Sequence, residues 1–248
     1  MKYLDLPKRY NKPRENGLTS IHDVSLSLGD LKNYLDTFGD FVDISKLGIG
    51  TAFITPKLEE KILLYNEFNI KVCFGGTLFE KFYKQNKVEL YKNFLKEKNI
   101  NLVEISTGTI DINLNERLKI VESFATEFEV FAEIGSKDNN KIMPPSEWNF
   151  EIISLLNSGA SKIIAEGRIS GSAGIYRNNG ELRDGLIHDM LNNVDYNKII
   201  FEAPNPKSQM IFINKFGSNV NLGNIIPNQV LELETQRMGL RSETFNIS

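Results

Sequence analysis

Apolar residues gather along this chain in eight short runs, separated by longer stretches of amphipathic character. The runs centre on Leu18 to Asp23, Phe41 to Leu47, Ile70 to Phe74, Leu102 to Ser106, Glu129 to Ile134, Lys162 to Glu166, Lys198 to Glu202 and Asn219 to Leu222. Several are nearly continuous in apolar character, as expected of parallel strands covered on both faces. Between them the apolar positions fall at helical spacing. Leu31, Tyr34, Leu35 and Phe38 follow i, i+3, i+4, i+7, with Asp30 placed as an N-cap and Gly39 as a stop. Leu58, Ile62 and Tyr65 repeat the pattern behind Pro56, and Trp148, Ile152, Leu155 and Leu156 do so between Ser146 and Gly159. Leu186, Ile187, Met190 and Leu191 form another stripe, and a last helix opens with Pro227, a favoured first-turn residue. Each stripe reads as the face of a helix packed on a sheet.

Alternation of strands and helices with short connections implies a parallel sheet. Eight repeats point to a closed (β/α)8 TIM-type barrel spanning residues 1–248 as a single domain. The rival is a doubly wound open sheet, and no Gly-x-Gly-x-x-Gly follows the first run to support it. The length of 248 residues suits one barrel, which typically takes about 250.

Composition narrows the setting. No run approaches the roughly 20 apolar residues of a membrane span, and the start MKYLDLPKRY carries no signal-like segment. A single cysteine, Cys73, lies in a strand run and reads as a buried thiol, so a reducing cytoplasm is expected. The net charge of −3 and the absence of a basic stripe argue against nucleic acid as a partner.

Barrel active sites form where strands end and the following loops begin. Those positions hold Asp23, Lys46, Gly75-Gly76-Thr77, Glu104 with Ser106, Glu133 followed by Lys137, Glu166 with Arg168, Glu202, and Asn221 with Asn224. Five carboxylates converging on one end require a compensating cation: a divalent metal, the basic residues, or both. Oxygen donors without a His/Cys cluster favour a hard ion such as Mg2+. Lys46, Lys137 and Arg168 suggest an anionic substrate, and the turn Asn221-Leu222-Gly223-Asn224 reads as a phosphate cradle of backbone amides. His22 is expected to face away from Asp23, and His188 to lie inside a helix, both in packing or surface roles. Two long loops, from Gly135 to Pro145 and from Gly167 through Gly180, are candidates for a lid.

These residues together resemble the phosphosulfolactate synthase family along nearly the whole chain. The resemblance is carried by Lys46-Leu47-Gly48-Ile49-Gly50-Thr51, Phe74-Gly75-Gly76-Thr77-Leu78-Phe79-Glu80, Glu104-Ile105-Ser106, Glu133-Ile134-Gly135-Ser136-Lys137-Asp138 and Phe201-Glu202-Ala203-Pro204. The closing run Asn219 to Ile225, with Leu233-Glu234 and Arg237-Met238-Gly239-Leu240-Arg241, is the most specific part. The chain departs from the family pattern at Leu47, Ile49 and Thr107, and at Ile169 within Glu166-Gly167-Arg168-Ile169-Ser170-Gly171. The resemblance implies a Mg2+-dependent barrel enzyme that adds sulfite to phosphoenolpyruvate, a carbon–sulfur lyase of sulfolactate and coenzyme M biosynthesis. It further implies Lys137 as the proton donor, and Lys46, Arg168, Asn221, Gly223 and Asn224 as holders of phosphate and sulfite. Metal ligands would come from Glu104, Glu133, Glu166 and Glu202, and the protein would assemble as a homo-oligomer. Two alternatives stay open: another barrel lyase or aldolase acting on a phosphorylated acid, with Lys46 placed for a Schiff base, and a non-catalytic stress-associated homologue.

Overall fold

A computed structural model describes residues 3–135, 143–167, 174–177 and 179–247. Eight parallel strands close into a barrel in chain order: β1 (Thr19–Asp23), β2 (Ile44–Leu47), β3 (Lys71–Phe74), β4 (Leu102–Ile105), β5 (Glu129–Ile134), β6 (Lys162–Ala165), β7 (Ile199–Glu202) and β8 (Leu222–Ile225). The helices are α1 (Leu28–Phe38), α2 (Leu58–Glu67), α3 (Gly76–Lys84), α4 (Val88–Glu97), α5 (Leu114–Ala125), α6 (Pro145–Asn157), α7 (Asp184–Met190), α8 (Pro206–Phe216) and α9 (Val230–Arg237). The expected (β/α)8 barrel is the observed fold. Among the described residues alternation breaks where α3 and α4 both lie between β3 and β4. None of the described helices is long and apolar enough to cross a membrane.

The cap of α1 lies three residues before the expected one. Ser27 holds extended backbone and accepts from the Asp30 N–H at 3.2 Å. Asp30 therefore sits in the first turn, where its charge complements the helix dipole.

Apolar side chains sort into two cores. The larger fills the space between barrel wall and helices and includes Ile21, Tyr65, Phe74, Trp148 and Phe201. The smaller lies inside the barrel: Leu18, Ile44, Cys73, Leu102, Phe131, Ile164 and Ile200. Strand side chains alternate, so the residue two positions further on shares the same face. Above Ile44 comes Lys46, above Leu102 Glu104, above Phe131 Glu133, above Ile164 Glu166, and above Ile200 Glu202. An apolar floor thus supports a charged tier at the carboxyl ends of the strands. Cys73 belongs to that floor, and burial pushes its thiol well above its ordinary value.

Strand β8 begins three residues later than the sequence pattern predicts. Its register is set by Thr19↔Leu222 and Ile21↔Ile225 on one side and by Phe201↔Leu222 on the other. Asn221 consequently precedes the strand, at the amino end of the barrel. Its Oδ1 accepts from the Leu18 N–H at 3.0 Å, and its Nδ2 donates to the carbonyls of Asn197 and Ile199 at 2.9 and 3.1 Å. It fastens neighbouring strands together, which corrects its expected role as a substrate ligand.

The same end is clamped by arginines. Arg237 of α9 is fully buried and donates to the carbonyls of Ser218, Val220 and Leu18 at 2.7, 2.7 and 3.1 Å. Arg9 reaches Glu234, Asn219 and the Gly17 carbonyl at 2.7 to 2.9 Å.

Candidate active site

Lys46 stands at the centre of the charged tier. Its Nζ lies 2.9 Å from Glu202 Oε1 and 3.1 Å from Glu104 Oε2. Burial pulls the ammonium down, but Glu104, Glu202 and Glu133 together hold it well above its ordinary value. The far oxygens of the two carboxylates are held by backbone. Gly76 N–H donates to Glu104 Oε1 at 2.8 Å, and Gly167 N–H donates to Glu202 Oε2 at 3.0 Å. Burial, and after it the balance of Lys46 against Glu133 and Glu202, leaves the Glu104 carboxyl above its ordinary value. Charge-assisted bonds of this kind fix side-chain positions tightly.

A second group adjoins the first. Ser106, directly after β4, places its hydroxyl 2.8 Å from Glu80 Oε1 and 2.7 Å from Glu133 Oε1. Glu80 comes from α3, and its Oε1 also accepts from the Thr109 N–H at 3.1 Å. Sequence reasoning gave Glu80 no site role, because it lies a helical turn beyond any strand end. The Gly75-Gly76 pair was the available signal. A Cβ on Gly76 would come within 2.2 Å of Ser106 Cβ and 2.7 Å of Glu104 Oε1. Glycine is required there for α3 to approach β4.

The inward and outward sides of β1 are the reverse of those expected. Asp23, counted among the converging carboxylates, turns outward, with its Oδ2 2.7 Å from both Lys61 Nζ and Tyr65 OH of α2. Its Oδ1 accepts from the backbone of Ser25 and Leu26. Asp23 is a structural link between barrel and helix. His22 instead faces the mouth, against Gly48, whereas His188 is a surface residue of α7, as expected.

Glu133 and Glu166 occupy the tier as expected. Glu166 is braced through the Ile175 N–H, which donates to its carbonyl at 3.0 Å. Gly223 lies inside β8 against Ile200, and not in a strand-to-helix turn. Asn224 holds a left-handed backbone, with its Nδ2 3.4 Å from both Glu202 Oε2 and the Gly167 carbonyl. The strand-to-helix turn is Ile226 to Gln229, which displaces the expected phosphate cradle. Lys137 and Arg168 lie outside the described residues, as do parts of both loops expected to form a lid.

Among the described residues, no three His, Cys, Asp or Glu side chains come together as a metal cage. The tier's anionic donors are nonetheless all carboxylate oxygens. Glu80 Oε2 is buried without a hydrogen-bond partner among the described residues, and Glu104 Oε2 meets only the Lys46 ammonium. Such oxygens suit a hard divalent cation.

A sequence model of the family described as "ComA: (2R)-phospho-3-sulfolactate synthase" matches residues 7–243, the whole barrel. The chain belongs to this family. It is 40% identical to a phosphosulfolactate synthase of Bacillus subtilis, covering 98% of this chain and 97% of that protein. It is 38% identical to the phosphosulfolactate synthase of Methanocaldococcus jannaschii, covering 93% and 94%. Protein HEAT-STRESS-ASSOCIATED 32 of Arabidopsis thaliana is more distant, at 25% identity over 92% of this chain and 88% of that protein. Among solved structures, 3-hexulose-6-phosphate synthase from Salmonella typhimurium superposes with a TM-score of 0.54 at 11% identity, covering 88% and 98% of the two chains. That likeness is one of fold.

Proposed function

We propose that this member of the ComA family adds sulfite to phosphoenolpyruvate, giving 2-phospho-3-sulfolactate. The observation that supports it is full-length family membership, with 40% identity to a protein named phosphosulfolactate synthase. In this reading the sulfur lone pair of sulfite attacks the methylene carbon. The double-bond pair moves onto the neighbouring carbon and carboxylate, and a proton then closes the reaction at that carbon. Lys137 is proposed as the donor of that proton. Lys46 stays charged between Glu104 and Glu202 and offers a fixed positive field to the developing anion. Arg168 and Asn224 are proposed to hold the anionic ends of the substrates.

Glu104 and Glu202 share the Lys46 ammonium, and the substrates bring further negative charge to the same mouth. A hard cation is proposed to accompany them. Mg2+ typically binds through one or two carboxylates with water and substrate oxygens, so a closed protein cage is unnecessary. Glu104, Glu133, Glu166 and Glu202 are the proposed source of those ligands. The ion, when bound, supplies positive charge to the enolate-like carboxylate.

The test is incubation with phosphoenolpyruvate, sulfite and MgCl2, followed by mass analysis. A product with the mass of phosphosulfolactate is expected, lost in EDTA and restored by Mg2+. No product from folded protein would remove the activity, and full turnover in EDTA would remove the metal. We further expect a cytoplasmic homo-oligomer, checked by light scattering on the purified chain.

A further inference from the structure

We infer that His22 is a substrate-contacting residue, donating a ring N–H to an anionic oxygen at the barrel mouth. The inference rests on the proposed activity for the identity of that anion, and on four observations for the place. First, Ile21 packs in the outer core and Asp23 is held by Lys61 and Tyr65, so Ser20 and His22 face inward. Ser20 indeed lines the interior with Lys46, Glu104 and Glu202. Second, the parallel register pairs His22 with Lys46, the cation at the centre of the tier. Third, the imidazole lies where a side chain on the neighbouring strand end would stand. A Cβ on Gly48 would be 1.7 Å from His22 Nε2 and 2.3 Å from Cδ2. Fourth, the ring is only partly covered, unlike the buried floor beneath it.

The chemistry of the position gives these observations a direction. The tier below is built mainly of carboxylates, which repel an anionic substrate. Groups that receive the anion must therefore be donors set at the rim. An imidazole carries at least one N–H in either protonation state, so it can donate across the working pH range. Beside it, Gly75 approaches so closely that a Cβ there would lie 3.1 Å from Gly48 Cα. Substrate can come close to backbone on this side, and His22 is the side chain that shapes it.

The chain contains two histidines, and the second, His188, is exposed on α7, which provides an internal reference. Full-length protein labelled with 13C-histidine is titrated with phosphoenolpyruvate, sulfite or inorganic phosphate, each with MgCl2, while calorimetry reports binding. Saturable movement of the His22 ring signals, with His188 unmoved, is expected. Movement with phosphoenolpyruvate and phosphate assigns the contact to the phosphoryl group, and movement with sulfite alone assigns it to the nucleophile. Phosphoenolpyruvate and sulfite that bind by calorimetry with His22 unmoved overturn the inference alone. Absence of any binding overturns the proposed activity and the inference with it.

Kinetics supply an independent check. His22→Ala should lower kcat/KM by about tenfold, the size of one hydrogen bond to a charged group, mainly through KM. His22→Gln, which keeps a donor, should recover part of that loss. Gly48→Ala should reproduce the loss by displacing the ring, and the double variant should be no worse than His22→Ala. Additive losses in the double variant, or wild-type kinetics in His22→Ala, would sink the assignment.

Discussion

Replacing Lys46 by methionine tests the charged tier most directly, because the side chain keeps its length and loses its charge. Glu104 and Glu202 would then face each other without the ammonium that lies 3.1 and 2.9 Å from them. Removing one partner of a buried pair costs about 3–5 kcal/mol. For a chain of this size that is a fall in Tm of roughly 6–20 °C. The pH dependence carries the sharper signal. Burial already holds the Glu104 carboxyl above its ordinary value. Its ionised form therefore costs stability above the unfolded-state carboxylate range, and the cost is relieved as pH falls. Loss of Lys46 raises that carboxyl further. Lys46 itself is held above its ordinary value, so its contribution is complete at neutral pH and lost only in strong alkali. Urea unfolding of both proteins should show a deficit for Lys46→Met that is largest near about pH 8 and narrows towards about pH 5. A deficit that is flat over that range, or absent, would refute the reading of Lys46 as the counter-charge of this tier.

Other outcomes follow from the same geometry. Gly76→Ala should cut kcat by about 10–100-fold, since displacing Ser106 and Glu104 by about 1 Å misplaces reacting groups; retained kcat would show that α3 can yield. Arg237→Met should lower stability by about 1–3 kcal/mol, the cost of a buried carbonyl left unpaired, because the Val220 carbonyl loses its Arg237 donor while those of Ser218 and Leu18 keep bonds from Arg9 and the Leu222 N–H. Urea midpoints decide that case. Lys137→Ala should lower turnover by roughly two to four orders of magnitude while phosphoenolpyruvate affinity falls much less; single-turnover kinetics with calorimetry separates the two, and near-native turnover would move the proton to another group.

The barrel was legible because eight apolar runs recur with helical stripes between them, and each run lies on or beside a strand. Which face of a strand turns inward was less legible. A parallel strand covered on both sides shows no apolar–polar alternation to settle the question. In β1 the order Thr19, Ser20, Ile21, His22, Asp23 fits either parity, and partners distant in sequence, Lys61 and Tyr65, decide for Asp23 facing out. For β2, β4, β5 and β7 the charged residue two positions past an apolar one was read in its right place. Strand β8 slid because Asn219 to Leu222 resembles a strand end, whereas Asn221 instead completes the backbone bonding of β1 and β7. Glu80 escaped notice because a helix brings it to the site, and helical position says little about which strand end it will meet.

The clamp at the amino end of the barrel also bears on how the chain reaches its fold. Thr19 of β1 waits for Leu222 of β8, and three carbonyls near this seam each gain a bond when Arg237 arrives on α9. Closure therefore belongs to the last stage of folding, when nearly the whole chain is available, and contacts of such sequence separation form late. Until then β1 presents an open edge able to pair with another chain. Interactions absent from the transition state govern escape from the native state more than entry to it. Loosening the seam should thus speed unfolding while leaving the folding rate nearly unchanged, making Arg237 a determinant of the protein's lifetime.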